Sequence, residues 1–315
     1  MSKYLISVDG GGTKTEISVL DTSDQSIAMF DYDGTNYHSI GIEVFEKRIL
    51  EAFDEIFDAM SITKDDILGV VMGISGCDTL YDRKLIQPCI EKIGIAREKI
   101  GIAREKIFLC NDGELIMYSC AGLPGICVVA GTGSIAFGYD SADDTVRCGG
   151  WGNPLSDLGS GFWIGMQILR EYIKYLDGQV PYIAIFDEIE THYGEKSNAE
   201  FMQKLSQGDK KYIAKAAKVV LDAATDGDPL CESIAKAAAF NLANMCTTIF
   251  GKLDTNDCEK VDVVMTGSVF KNATLKEMFR EQCKAQTSFD KFDFVEMTKS
   301  PSESGLDFAK KLFRA

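Results

Sequence analysis

Several short segments combine small residues with hydroxyls or carboxylates in patterns that suit phosphate chemistry. The first is Asp9-Gly10-Gly11-Gly12-Thr13-Lys14-Thr15, directly after the apolar run 4–8. Consecutive glycines let a backbone turn sharply and bring its N–H groups against an anion. Asp9, at the end of that run, is placed to face a Mg²⁺ ion. The spacing is not a Walker A loop, because Thr13 and not glycine precedes Lys14. It is not a dinucleotide fingerprint, because Thr15 stands where a glycine is needed and a strand follows where a helix must start. The loop reads as a nucleotide-binding β-turn-β or as a plain glycine hairpin, and Lys14 suits a phosphate or solvent equally.

A second loop, Gly131-Thr132-Gly133-Ser134, again sits between two apolar runs. Two small-residue hairpins facing each other across a cleft can hold a triphosphate from both sides. A third, Thr266-Gly267-Ser268-Val269-Phe270, follows the run 261–265 and precedes a helical pattern. Its glycine permits close approach of a flat group such as adenine or its ribose. A carboxylate, Asp112, follows Asn111 at the end of the run 107–110. Asp112 suits a helix N-cap and equally a base that orients a hydroxyl and takes its proton.

The elements that must position these residues alternate in a regular order. Strands are expected at 4–8, 16–20 and 26–30, a helix over 42–59, a strand at 68–72, a helix near 83–93 and a strand at 107–110. The same order restarts at Gly125, with strands at 126–130 and 135–139 around a turn at 131–134. Mostly helical sequence follows from 162 to 250, then a strand at 261–265, a helix from Ala273, a strand near 293–295 and a last helix from Ser304. Two halves opening with strand, small-residue turn and strand indicate a duplicated α/β fold with mixed sheets. The expected lobes are 1–122 and 123–315, with a helical insertion in the second and a last helix that returns to the first. The heptad Gly-Ile-Ala-Arg-Glu-Lys-Ile at 94–100 is repeated residue for residue at 101–107. Two copies are too few for a coiled coil, so the repeat reads as a local duplication lengthening the approach to the strand at 107.

Composition limits the partners. The 315 residues carry 33 Lys+Arg against 48 Asp+Glu, a net charge of −15. That balance argues against a nucleic-acid binder or a protein that coats anionic membranes. Phosphates must then be met by local amides and a metal, against the global field. The ten cysteines include no C-x-x-C pair, so neither a zinc ribbon nor an iron–sulfur cradle is signalled. They read as reduced, mostly buried thiols of a cytoplasmic protein. No apolar run approaches the length, about 20 residues, that spans a bilayer.

Taken together, 9–15, 131–134 and 266–270 resemble the three nucleotide loops of the actin-like ATPase and sugar-kinase superfamily, with its duplicated ribonuclease-H-like fold. Within it, Cys148-Gly149-Gly150-Trp151-Gly152 followed by Ser156-Asp157-Leu158-Gly159-Ser160-Gly161 is similar to the N-acetylglucosamine kinase branch. That branch is grouped with the BadF/BadG/BcrA/BcrD ATPases, which activate benzoyl-CoA reductase and 2-hydroxyglutaryl-CoA dehydratase. The resemblance covers most of the chain and is least marked over 176–250. It implies ATP and Mg²⁺ bound between two lobes, with Gly11, Gly12, Thr13, Lys14, Gly131, Thr132 and Gly133 at the phosphates, Gly267 and Ser268 at the adenosine, and Asp9 at Mg²⁺ through water. It implies Asn36, Ser75, Asn111, Gly150, Trp151, Gly152 and Asp157 at the sugar, and Asp112 at the sugar as general base. It also implies a homodimer.

The function so implied is ATP-dependent phosphorylation of an amino sugar, N-acetylglucosamine at its 6-hydroxyl. Glucosamine or another hexose is the second reading, since discrimination of an acetyl group can rest on one hydrogen bond. A third is an ATPase activator of a dehydratase or reductase, for which the cysteines speak and their spacing does not. A fourth, a sugar-sensing regulator without catalysis, is disfavoured by Asp112. His38 reads as a surface loop residue, and His192 is given no role.

Overall fold

The computed structural model describes residues 3–93, 101–121, 124–139, 145–153, 155–194, 199–206, 210–255, 258–287 and 292–314. Its contacts divide into two units, Met1–Cys120 with Met297–Ala315, and Ala121–Glu296.

The first unit opens with β1 (Tyr4–Gly10), β2 (Lys14–Asp21) and β3 (Ile27–Asp33), followed by α1 (Tyr37–Ile40), α2 (Ile42–Met60), β4 (Ile67–Ile74), α3 (Leu80–Ile90), β5 (Ile107–Cys110) and α4 (Asp112–Cys120). Its sheet has the order β3-β2-β1-β4-β5. The three hairpin strands pair antiparallel, while β1–β4 and β4–β5 pair parallel. The continuous apolar runs of β1 and β4 follow from burial on both faces. Along β1, Ile6 and Val8 join a core with Phe45, Phe53 and Ile56 of α2, while Leu5 joins Val71, Leu115, Leu306 and Ala309 on the opposite side. Because β1, β4 and β5 run the same way, their C-terminal ends bring Asp9 at the end of β1, Ser75 just after β4 and Asp112 at the start of α4 to one end of the sheet.

The second unit repeats this order. It contains β6 (Gly125–Ala130), β7 (Ser134–Tyr139), β8 (Thr145–Gly149), α5 (Gly161–Leu176), α6 (Ile185–Tyr193), α7 (Ala199–Ser206), α8 (Lys210–Ala214), α9 (Ala216–Thr225), α10 (Pro229–Phe250), β9 (Val261–Thr266), α11 (Ala273–Gln286) and β10 (Phe292–Val295). The sheet order β10-β9-β6-β7-β8 matches the first sheet strand for strand, with β6–β7–β8 antiparallel and β6–β9 and β9–β10 parallel. The expected α/β duplication is therefore present. The final helix, α12 (Pro301–Phe313), lies against β1 and α4.

Four local details differ from the sequence reading. The strand β8 was not anticipated, although the duplication calls for a counterpart of β3. It is five residues long and ends in the Gly149-Gly150 turn. The helix expected near 83–93 runs from Leu80 to Ile90, because the Thr79 and Asp82 side chains form a capping box. The last helix starts at Pro301 rather than Ser304, since Ser300 caps it, Pro301 takes the first turn and Glu303 closes the box. Ser134 begins β7 instead of ending the turn.

The first heptad copy, 94–100, lies outside the described residues. In the second copy Ile102 is buried, a 3₁₀ turn spans Arg104–Lys106 and Ile107 starts β5. No cysteine pair forms a disulfide, and seven of the ten cysteines are buried. Among the described residues no helix is long and apolar enough to cross a membrane.

Candidate active site

In the first unit the expected residues converge on the end of the sheet where β1, β4 and β5 terminate. The glycine turn after β1 is held by Gly11 N–H to the Lys14 carbonyl at 2.9 Å and by Thr35 N–H to the Gly11 carbonyl at 3.0 Å. The Thr15 and Thr35 hydroxyls meet at 2.9 Å, which ties the turn to the segment entering α1. Asn36 caps α1, its Oδ1 accepting from the His38 N–H at 3.0 Å. Its Nδ2 donates to the Ser75 Oγ at 3.1 Å, and Ser75 acts on Asp112, favouring its charged form. Asn36, Ser75 and Asp112 thus belong to one polar cluster. Gly76 makes this approach possible. Its φ is +90°, and a Cβ there would come within 2.8 Å of the His38 ring and 3.1 Å of Asn36 Oδ1.

The helix cap in this region falls on Asn111, not on Asp112. Asn111 Oδ1 accepts from the Gly113 N–H at 2.7 Å, and Glu114 Oε2 accepts from the Asn111 N–H at 2.8 Å. Asp112 is the first residue of α4, so its carboxyl is released from capping duty. It accepts from the Gly113 N–H at 3.0 Å. Burial pushes its pKa up to about 6, with Asp78 adding to the rise and the Gly113 N–H and Ser75 opposing it. Asp9 is pushed up to about 7, first by burial and then by the charges of Asp112 and Glu16. A nearby cation favours the charged form of such a carboxyl, so Asp9 fits the residue that would hold Mg²⁺.

Asp78 was missed by the sequence reading. It accepts the Asn111 Nδ2–H at 2.6 Å and places a further negative charge beside Asp112. Lys14 is engaged by Glu16 at 3.1 Å and Asp31 at 2.8 Å. His38 is not in a plain loop. It belongs to α1, exposed, with Nε2 3.7 Å from Asp82.

In the second unit the loop 131–134 is braced by α5. The Gly161 N–H donates to the Gly131 carbonyl at 2.8 Å and the Phe162 N–H to the Thr132 carbonyl at 3.2 Å. The positive end of a 16-residue helix therefore lies directly behind this turn. Gly131 and Thr132 share a cavity of about 1040 Å³ with Ser268, Val269 and Asn272, at the upper end of small-molecule clefts, roughly 300–1000 Å³. Ser268 follows Gly267, whose φ is +99° and where a Cβ would collide with the Ala130 carbonyl. Apolar Ala214, Ala217 and Leu221, cationic Lys211, Lys215, Lys218 and Lys271 and acidic Asp222 and Asp226 also line the cavity, an apolar and largely cationic lining that fits a purine nucleotide. His192, given no role from sequence, also lines it. The lysines were missed, yet the spacing of Lys211, Lys215 and Lys218, four and three residues, marks one face of a helical stretch.

Trp151 is 76% exposed and the Arg147 guanidinium sits 4.0 Å over its ring. Gly150 N–H donates to the Ser134 carbonyl at 3.0 Å. Asp157 is 7% exposed, with a left-handed φ of +62°. Its carboxyl accepts from the backbone N–H groups of Ser134 and Gly152, while burial outweighs them and pushes its pKa up. A Cβ on Gly133 would stand 2.9 Å from Asp157 Oδ2. Gly133, Gly150, Gly152 and Asp157 are thus brought together, with Asp157 bridging the loop 131–134 and the turn at 150–152.

The chain is similar to known proteins over most of its length. The sequence profile of the BadF/BadG/BcrA/BcrD ATPase family matches residues 6–290. An N-acetyl-D-glucosamine kinase of Dictyostelium discoideum is 27% identical over 281 residues, covering 85% of this chain and 86% of its own. An N-acetylmuramic acid/N-acetylglucosamine kinase of Clostridium acetobutylicum is 27% identical over 286 residues, covering 89% and 90%. Among solved structures, a presumed N-acetylglucosamine kinase of Chromobacterium violaceum has a TM-score of 0.73 at 22% identity, covering 98% of this chain and 99% of that one. This likeness shows the fold.

Proposed function

The chain belongs to the BadF/BadG/BcrA/BcrD ATPase family, and from that premise we propose that it is an ATP-dependent kinase of amino sugars, acting on the 6-hydroxyl of N-acetylglucosamine. The observation that carries the reading is the polar cluster at the end of three parallel strands, where Asn36 is hydrogen-bonded to Ser75 and the buried Asp112 lies under the influence of Ser75. It pairs hydrogen-bonding groups suited to a sugar diol with a carboxyl whose pKa lies near neutrality. The names of the two curated relatives support the amino-sugar class.

Phosphoryl transfer to a sugar hydroxyl needs in-line positioning and neutralised charge more than covalent help. In this reading Gly12 and Thr13 of the first unit and Thr132 and Gly133 of the second contact the phosphates, while Gly11 and Gly131, whose N–H groups close their own turns, let the phosphates approach. Gly267 and Ser268 bound the adenosine. Asp9 holds Mg²⁺ through water, because Mg²⁺ keeps much of its hydration shell, and the ion neutralises charge on the transferring group. The sugar contacts proposed are Asn36, Ser75 and Asn111 on the first unit and Gly150, Trp151, Gly152 and Asp157 on the second. Asp112, poised near pH 6, orients the hydroxyl and accepts its proton late in transfer. Lys14 reaches a phosphate only by leaving Glu16 and Asp31.

The test is ADP release with Mg-ATP against N-acetylglucosamine, N-acetylmuramic acid, glucosamine, N-acetylmannosamine, glucose and no sugar. Release that depends on N-acetylglucosamine supports the proposal. Sugar-independent release moves the assignment to an activator-type ATPase, and dependence on glucose alone overturns the amino-sugar class.

A further inference from the structure

Two charged residues that this chemistry does not use are built into the start of the helix that carries Asp112. Glu114 is 4% exposed, and its Oε1 and Oε2 receive Arg83 Nη2 at 3.0 and 2.7 Å. The same Oε2 closes the Asn111 cap, while Asn111 Nδ2 is fixed on Asp78. Arg83 comes from α3, whose own start is locked by Asp82, which accepts from the Thr79 N–H and hydroxyl, both at 2.7 Å, and from the Tyr37 hydroxyl. With Arg83 half-exposed, the pair is a weak source of stability, and glutamine would close the same capping box without a charge. What the guanidinium adds is a rigid link from α3, through Glu114, to the backbone of Asn111 immediately before Asp112.

We propose that Arg83 and Glu114 are positioning residues that hold Asn111 and Asp112 in register with Ser75, so that the Asp112 carboxyl stays on the acceptor hydroxyl. The inference rests on the reading of Asp112 as the base. In Arg83→Met, kcat for sugar phosphorylation falls roughly 10- to 100-fold, the loss typical of a reacting group displaced by about 1 Å. The KM for ATP changes by less than about threefold, because no nucleotide residue is touched. Arg83→Lys restores part of kcat.

The pH profile adds a readout that a general loss of folded protein does not move. Asp112 is faced by Asp9 from β1, by Ser75 and Asp78 after β4, and by the Gly113 N–H of its own helix. Loosening the cap weakens the Gly113 hydrogen bond and moves the carboxyl away from Ser75, both of which favour its charged form, so the acid limb of kcat/KM moves to higher pH in Arg83→Met. Glu114→Gln, which keeps an acceptor for the Asn111 N–H, carries the test if Arg83→Met does not fold, with an expected loss of roughly tenfold in kcat. A kcat within twofold of wild type in the folded variants overturns the proposal. Asp112→Asn separates the two levels. If it is fully active, the base assignment falls and this inference with it. If it is inactive while Arg83→Met and Glu114→Gln match wild type, the positioning role alone falls.

Discussion

Asp112 and Asp9 keep their protons to a higher pH than free aspartate, chiefly because burial disfavours their charged forms. The unfolded chain ionises these groups near 3.8. Their contribution to stability is therefore complete below that pH and is lost as pH rises through about 6 and about 7. Replacing Asp112 by asparagine removes its share. The stability difference between Asp112→Asn and wild type, measured by urea unfolding without ligand, grows in favour of the variant from pH 4 to 7. It reaches at most roughly 3 kcal/mol, and a difference independent of pH would show that Asp112 titrates normally. The same variant loses roughly 10²- to 10⁴-fold in kcat, the range for a positioned acid–base group, while ATP affinity by calorimetry stays within a few-fold. Retained activity removes Asp112 as the base.

The site depends on loops that must approach one another closely. Gly76 combines a left-handed φ with the nearness of His38 and Asn36. Gly76→Ala is expected to cost about 1–3 kcal/mol and to raise the KM for the sugar more than that for ATP. Equal effects on both would place the turn outside the sugar site. Gly267 makes the corresponding approach to the Ala130 carbonyl on β6. Gly267→Ala therefore weakens ATP binding in calorimetry and leaves the first unit intact. ATP affinity equal to wild type would remove the 267–268 turn from the nucleotide site.

At the scale of the whole chain, the last 19 residues complete a core that the first 120 begin. Leu306 and Ala309 of α12 pack with Leu5, Leu20, Val71 and Leu115. The Ser302 hydroxyl bonds Ser18 at 2.7 Å and Glu16 at 2.6 Å. Gly305 lies so close to Ser7 that a Cβ there would collide with the Ser7 hydroxyl. Gly305→Val is expected to undock the helix and lower the melting temperature by several degrees, as a loss of about 1–3 kcal/mol does. Deleting residues 297–315 exposes those apolar residues and prevents the first unit from folding, read by loss of its cooperative transition. A melting profile unchanged in either variant would show that α12 is dispensable.

Strand periodicity, the glycine turns and their recurrence after residue 125 determined the duplicated α/β fold, because burial on both faces and sharp turns leave local marks in residue type. The three small-residue loops and the Gly-Gly-Trp-Gly segment were legible as turns for the same reason. What depended on distant partners was not. The strand β8 is defined by its pairing with β7 rather than by its own five residues. The cap on α4 is closed locally by Glu114, but Glu114 is fixed by Arg83 of α3, which no local pattern shows. Asp78 acquires a role only beside Asn111, and Lys211, Lys215 and His192 only by lining a cavity with Gly131 and Ser268. Turn chemistry is written locally, whereas the partner of a carboxylate or the wall of a pocket is chosen by residues that only tertiary packing brings together.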